Sequence, residues 1–331
     1  MEYVPSVKSK FASVTAARQA GGLKARLKAL AVGKDKAAEF LNRLSYMIFQ
    51  YVSKRIPAEI IKKRLPSMWH QFYELAGVDI TKEAMEVGPT CHYVMGGVEV
   101  EPDTAAAIGV PGLYAAGEVA GGMHGSNRLG GNSLTDLLVF GRRAGAGAAQ
   151  YVKSAGANPV SDATIKAAAD RIEAPFSRAG GENSYSLHAE LQEVTHNLVG
   201  IIRTRTEIEE AIAKIADIRA RSKNVAVAGG RKFNPGFHLA FDLDNMLLVA
   251  ESTAKSALLR EESRGGHTRD DFPGMNPDWR QINQIASFDG EKVNIKSQTL
   301  PVIPKELFDL FDVHELEKYM TPAEIAKGGS N

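Results

Sequence analysis

At 331 residues the chain is longer than one ordinary hydrophobic core organises, so two or three compact units are expected. Hydrophobic residues at 44% and charged residues at 24% describe a soluble globular chain. With 40 basic and 39 acidic residues the formal charge is +1, so nothing global points to nucleic acid or an anionic membrane as partner.

The first 57 residues differ from the rest. They hold eleven Lys or Arg against Glu2, Asp35 and Glu39, a local excess of eight positive charges that leaves the remaining chain net acidic. Within them "FLNRLSYMIFQYVSKR" sets Phe40, Leu41, Leu44, Met47, Ile48 and Tyr51 at helical spacing, the pattern of a core-facing helix or an amphipathic docking helix. No apolar run reaches the roughly 20 residues that cross a bilayer, and the N-terminus lacks the apolar segment of a secretion signal. Cys91 is the single cysteine, so neither an internal disulfide nor a cysteine-built zinc or iron–sulfur site is expected, and a reducing compartment is favoured.

From Ala58 to Ala76 the pattern predicts helix with a break at Pro66, whose ring removes an amide donor. Val87, Tyr93, Val94, Val98 and Val100 then suit strands, with Gly88, Pro89, Gly96 and Gly97 as turns. "VPGLYAAGE" predicts a turn at Pro111 and Gly112 and a short buried strand ending at Glu118. Leu134, Leu137, Leu138, Phe140, Ala144 and Ala148 predict a helix buried on most sides, N-capped by Asn132 or Ser133.

"KSAGANPVSD" reads as a loop and domain boundary. Beyond it Ile208, Ala211, Ile212, Ile215 and Ile218 form one helical stripe, supported by Glu210 with Lys214 and Asp217 with Arg221 at i,i+4. A second helix from about Leu243 to Glu262, stopping near Gly265, is its antiparallel bundle neighbour. Asp289 and Gly290 predict the turn of a hairpin in "QIASFDGEKVNIKSQTL".

The chemistry concentrates in "GEVAGGMHGSNRLGGNSLTDLLVFGRRAG", Gly117 to Gly145. A strand ending in a carboxylate, a glycine loop and a helix start can cradle a nucleotide-type cofactor, with backbone close to the ligand and helix amides presenting partial positive charge. The same pattern also serves a tightly packed turn between strand and helix. The usual dinucleotide fingerprint is missing: Gly145 and Gly147 are followed by Gln150 and lie inside a helix.

Three separated motifs occur in one order: "GPTCHYVMGGVEVEPDT", "VPGLYAAGEVAGGMHGSNRLGGNSLTDLLVFGRRAG" and "ESRGGHTRDDFP". Together they resemble the flavoprotein subunit of succinate dehydrogenase and fumarate reductase, from about Ala58 to near the C-terminus. The paired glycines of "RLGGNSL" are closer to this branch than to the related aspartate oxidases. The resemblance implies that His92 hydrogen-bonds a substrate carboxylate and that Arg128 clamps a carboxylate beside the flavin. It implies that Glu118 binds the flavin cofactor, and that Ser133 and Leu134 contact it at the helix start. A C4 dicarboxylate suits this set, since arginine offers a planar bidentate fork and the interconversion of saturated and unsaturated diacids requires hydride transfer to or from a cofactor.

The fold implied is α/β plus α: the C-terminal part of an FAD-binding α/β domain, an antiparallel helical domain and a small C-terminal α+β segment. The divisions expected are 1–57 without family match, 58–91 as the end of a capping region, 92–155 as FAD- and substrate-binding, 156–275 as helical bundle and 276–331 as C-terminal segment. FAD is the implied cofactor and succinate or fumarate the substrate. The implied partners are membrane-anchor subunits with an iron–sulfur subunit, and the implied location is cytoplasmic, peripheral on the inner face of the cell membrane.

The family's glycine-rich dinucleotide motif, its flavin-linked histidine and its proton-transfer arginine lie upstream of the matched motifs. Arg18 and Arg26 do not fit the last role, so no catalytic residue is assigned. Three readings follow: the C-terminal half of a flavoprotein completed by a separate chain, a non-catalytic dicarboxylate-binding or assembly protein, and a flavoenzyme in which residues 1–57 improvise the missing half. Among the remaining candidates, His124 is read as structural, and Arg264 and His267 as residues of interdomain packing and salt bridging. His188 and His196, eight apart without a carboxylate pair, give no metal site, and Cys91 is either reachable by thiol reagents or a small buried residue.

Overall fold

The computed structural model describes residues 58–85, 91–156 and 159–328. The helix predicted over Phe40–Tyr51, and Val87, Gly88 and Pro89, lie outside the described residues. The chain divides into two compact units between Thr90 and Cys91.

In the first unit, helix α1 (Ala58–Arg64) is followed by α2 (Pro66–Ala76). Pro66 breaks the helical run as predicted and then opens α2, where its missing N–H has no intrahelical partner to lose. The helix closes at Gly77, whose φ of 68° provides a left-handed cap.

The second unit begins with an irregular stretch, residues 91–131. Single bridges pair Val98 with Ala120, Val100 with Ala107 and Ala106 with Tyr114. The strands predicted around Tyr93–Val100 and before Glu118 are therefore reduced to isolated bridges. A ladder needs consecutive paired residues, and among the described residues these segments meet their partners at single positions. Glu118 sits in a 3-10 turn, Gly117–Val119, and is exposed.

Helix α3 (Asn132–Ala155) follows. Its N-cap is Gly131, at φ 86°, so neither Asn132 nor Ser133 caps it; both fall inside the first turn because the glycine takes the left-handed position. The expectation of burial on most sides also fails. Asp136 is the buried residue of α3, while Leu134, Leu138 and Val152 are 67%, 77% and 73% exposed. Among the described elements the helix packs on the Gly117–Val119 turn, which is too small to cover an apolar face.

The helical bundle is built from α5 (Ser184–Leu198), α6 (Arg205–Ser222) and α7 (Pro235–Leu259), preceded by α4 (Asp162–Ser177). Leu187, Leu191 and Val194 of α5 meet Ile208, Ala211, Ile215 and Ile218 of α6 and Leu243, Leu247, Ala254 and Ala257 of α7 in one core. Each large aliphatic chain buried there contributes about 1.5–3 kcal/mol. Thr204 and Glu207 form a reciprocal capping box at the start of α6, and the predicted pairs Lys214–Glu210 and Arg221–Asp217 close at 2.8 and 3.2 Å. Helix α7 starts earlier than its apolar pattern indicates, because Asn234 caps it by accepting the Phe237 amide and Pro235 occupies its first turn.

Strands β1 (Ile202–Arg203) and β2 (Thr268–Arg269) pair in parallel. The predicted hairpin is β3 (Ile282–Phe288) and β4 (Val293–Thr299). Its turn holds Gly290 at φ 103° and an Asp289 carboxylate accepting the Glu291 and Lys292 amides. Lys255 of α7 donates to the Val293 carbonyl at 2.8 Å, tying hairpin to bundle. Among the described residues no helix is long and apolar enough to cross a membrane.

Candidate functional site

The segment 91–98 carries His92 and Tyr93 and crosses the backbone of residues 119–121 at close range. Val98 N–H donates to Val119 O at 2.7 Å and Gly121 N–H to Val98 O at 2.9 Å. A Cβ at Gly97 would lie 2.2 Å from Val119 O, so only glycine permits this crossing. The Glu118 carboxylate accepts the Val94 amide at 2.9 Å, fastening the His92 loop to the 3-10 turn. His92 and Cys91 are both exposed.

Arg128 reaches the same place from the glycine-rich loop. Its guanidinium carbon stands 4.9 Å from the centre of the Tyr93 ring, and Nη1 donates to Leu129 O at 3.1 Å. Arg128 thus lies on the ring of Tyr93, the residue next in the chain to His92. Behind them Tyr93 meets the His124 ring edge-on at 5.4 Å, and His124 Nε2 lies 3.2 Å from Asp136 Oδ2 of α3, in a pair that is almost fully buried. Burial pushes the Tyr93 phenol above its usual pKa, reinforced by Asp136 and Glu118 and opposed by Arg128. The ring therefore stays a neutral phenol at physiological pH.

The start of α3 presents Ser133, half-buried, and exposed Leu134, with no side chain capping its first-turn amides. An exposed carboxylate, an uncapped helix N-terminus and an apolar surface form a donor, acceptor and contact set that fits the edge of a flavin.

A hairpin from the end of the bundle braces this loop. Gly266 N–H donates to Ser126 O at 2.9 Å, and a Cβ on Gly265, at φ +59°, would lie 2.3 Å from the same oxygen. The hairpin is fixed by Glu262, fully buried between Arg260 at 2.7 Å and Arg264 at 3.0 Å, and by the His267 ring against Arg260 O at 2.9 Å. Arg264 therefore salt-bridges Glu262, while His267 packs with its ring against a backbone carbonyl and makes no ion pair among the described residues. Burial, with cations nearby, lowers His267 to about 4.

Four residues here carry more than the sequence pattern assigns them. Tyr93 looked like a strand residue, and His124 like structure alone. Asp136 was not singled out, although a carboxylate inside the apolar run "SLTDLLVF" is a signal of a buried partner. Arg203 of β1 was missed too: it is half-buried with an unpartnered Nε, and burial lowers its pKa.

Sequence comparison matches an FAD-binding domain family over residues 13–134 and a family described as fumarate reductase flavoprotein C-terminal over residues 188–321. The chain belongs to the succinate dehydrogenase/fumarate reductase flavoprotein family. His92, Glu118, Arg128, Ser133 and Leu134 all fall inside the first match, which also takes in residues 13–57, so the expectation that residues 1–57 have no family match does not hold over that stretch. The chain is 41% identical over 226 residues to a subunit of the fumarate reductase (CoM/CoB) of Methanothermobacter marburgensis, covering 68% of this chain and 40% of that one. It is 34% identical over 274 residues to the succinate dehydrogenase flavoprotein subunit of Rickettsia bellii, covering 78% and 46%. Its fold superposes on Mycobacterium smegmatis Sdh1 in complex with UQ1 with a TM-score of 0.74 at 57% identity, covering 82% of this chain and 46% of that one. The chain thus spans less than half the length of these relatives and carries part of an FAD-binding domain followed by the family's helical region.

Proposed function

We propose that this chain supplies the dicarboxylate-binding and flavin-edge portion of a site that transfers hydride between FAD and a C4 dicarboxylate, succinate or fumarate. The observation that carries the reading is the fork of Arg128, which has no carboxylate partner among the described residues and is laid on the ring of Tyr93, next in the chain to exposed His92. Arg128 takes one carboxylate in a bidentate grip and His92 hydrogen-bonds a carboxylate as well, so the substrate is oriented by its charged groups. Glu118, Ser133 and Leu134 hold the cofactor, Glu118 as hydrogen-bond acceptor and the α3 amides as a partial positive charge. Bound FAD would supply the hydride-transfer chemistry that amino-acid side chains do not offer.

The remainder of the flavin-binding fold, together with the proton-transfer arginine, comes from sequence that the relatives carry beyond the matched region. Membrane-anchor subunits together with an iron–sulfur subunit are the partners of this reading, and they hold the assembly at the inner face of the membrane.

The test is to purify the chain with and without a second chain carrying the flavin-binding half, then measure flavin absorbance and succinate-dependent dye reduction. Flavin binding and turnover are expected in the pair, and full turnover by the single chain overturns the division of labour. In the active pair Arg128→Lys should lose most turnover, because an ammonium cannot reproduce the fork; near-parental kinetics would remove Arg128 from the site. His92→Ala should weaken dicarboxylate binding and leave the flavin spectrum intact.

A further inference from the structure

A carboxylate clamp faces conflicting demands. Its guanidinium must be held still on a long flexible stem, yet any protein carboxylate that held it would occupy the fork the substrate needs. Arg128 has no protein carboxylate among its hydrogen-bond or ion-pair partners in the described residues; the one bond of its guanidinium goes to the neighbouring Leu129 carbonyl. What lies under it is the Tyr93 ring at 4.9 Å. A ring face attracts a cation without neutralising it or consuming its donors.

We propose that Tyr93, set by the buried His124–Asp136 pair, is the platform that positions Arg128 for carboxylate recognition; this rests on the functional reading above. The nearby carboxylate, Asp136, is turned to His124 at 3.2 Å, which keeps it off the clamp. His124 in turn meets Tyr93 edge-on at 5.4 Å, so the ring is fixed from behind. Asp136 belongs to α3, the helix whose first turn is assigned to the flavin edge. One rigid element therefore sets both the cofactor contact and the clamp's support, which couples the position of the oriented substrate to that of its redox partner. Arg128 Nε is buried without a hydrogen-bond partner among the described residues, as a group reserved for a ligand or water oxygen is.

Tyr93, His124 and Asp136 are positioning residues, and the test separates that role from mere packing. Malonate, a non-reacting dicarboxylate, is titrated calorimetrically into the chain alone and paired with the flavin-binding half. Tyr93→Leu should raise the dissociation constant about tenfold, and Tyr93→Phe, which retains the ring face, should recover most of that loss. In an Arg128→Ala background Tyr93→Leu should add less than about a twofold change, because there is no longer a guanidinium to position. Equal losses in both backgrounds, or parental affinity in Tyr93→Leu, overturn the platform.

Should Tyr93→Leu fail to fold, Asp136→Asn takes its place, with a weaker affinity expected only while Arg128 is present. An Asp136→Asn protein that binds like the parent overturns the platform equally. A parent that binds no malonate in either form sinks the functional reading and the platform with it, whereas a parent that binds while the variants are unaffected sinks only the platform.

Discussion

The loop that carries Arg128 is braced by a close backbone approach between Gly265 and Ser126, and Gly265→Ala should break it. The added methyl would stand 2.3 Å from Ser126 O and 2.6 Å from both Ser126 C and Oγ. Relief requires a separation about 1 Å greater between two backbones, with a φ of +59° that an L side chain resists. The left-handed conformation costs about 1–2 kcal/mol and overpacking about 1–3 kcal/mol, so a destabilisation of about 2–5 kcal/mol is expected. Gly266 supplies the control one residue away: a Cβ there would meet Ser126 O at an ordinary 3.6 Å, and Gly266→Ala should change stability by less than about 0.5 kcal/mol. Urea unfolding of the two variants beside the parent gives the comparison. Because Arg128 lies two residues beyond Ser126, Gly265→Ala should also weaken malonate binding. Equal midpoints for the two variants would show that the hairpin does not brace the loop as the structure has it.

His267 is held at about 4 by burial, below its ordinary 6.5, so the fold binds fewer protons than the unfolded chain; the stability this contributes is complete above about 6.5 and is lost as pH falls toward 4. The urea midpoint should decline across that window, and His267→Gln should flatten the decline. Asp271 is lowered by Arg269 to about 2, so its contribution is lost only below its ordinary 3.8 and does not overlap. Ile215→Ala empties a fully buried position between three helices and should cost about 2–5 kcal/mol by urea unfolding; a cost under about 1 kcal/mol would mean that the bundle closes the cavity. Cys91, exposed and adjacent to His92, should react with a thiol reagent more slowly when malonate is bound, and an unchanged rate would remove the dicarboxylate from this loop.

The bundle was largely legible because its signals are local. The isoleucine stripe from Ile208 to Ile218, the charged pairs at i,i+4 and the Asp289–Gly290 turn each depend on residues a few positions apart, and each stands where the pattern places it. Helix starts were less legible. At Gly131 a backbone conformation outranks the side-chain caps of its neighbours, and at Asn234 the cap precedes the first apolar residue of the stripe.

The sequence by itself determined the residue chemistry of the site: one arginine within a glycine cluster, a histidine in "HYVMGG" and a glutamate before the glycines, in an order that identifies the family. Only the tertiary structure decided how those groups are held. Tyr93 lies beneath Arg128, His124 and Asp136 pair behind it, and the Gly265 hairpin reaches the loop from more than a hundred residues away. Likewise the apolar face of α3 is written as a buried stripe, but burial is a property of neighbours, and the described neighbours cover only part of it. Periodicity records what a residue prefers locally, whereas support and exposure depend on which distant segments the chain brings against it.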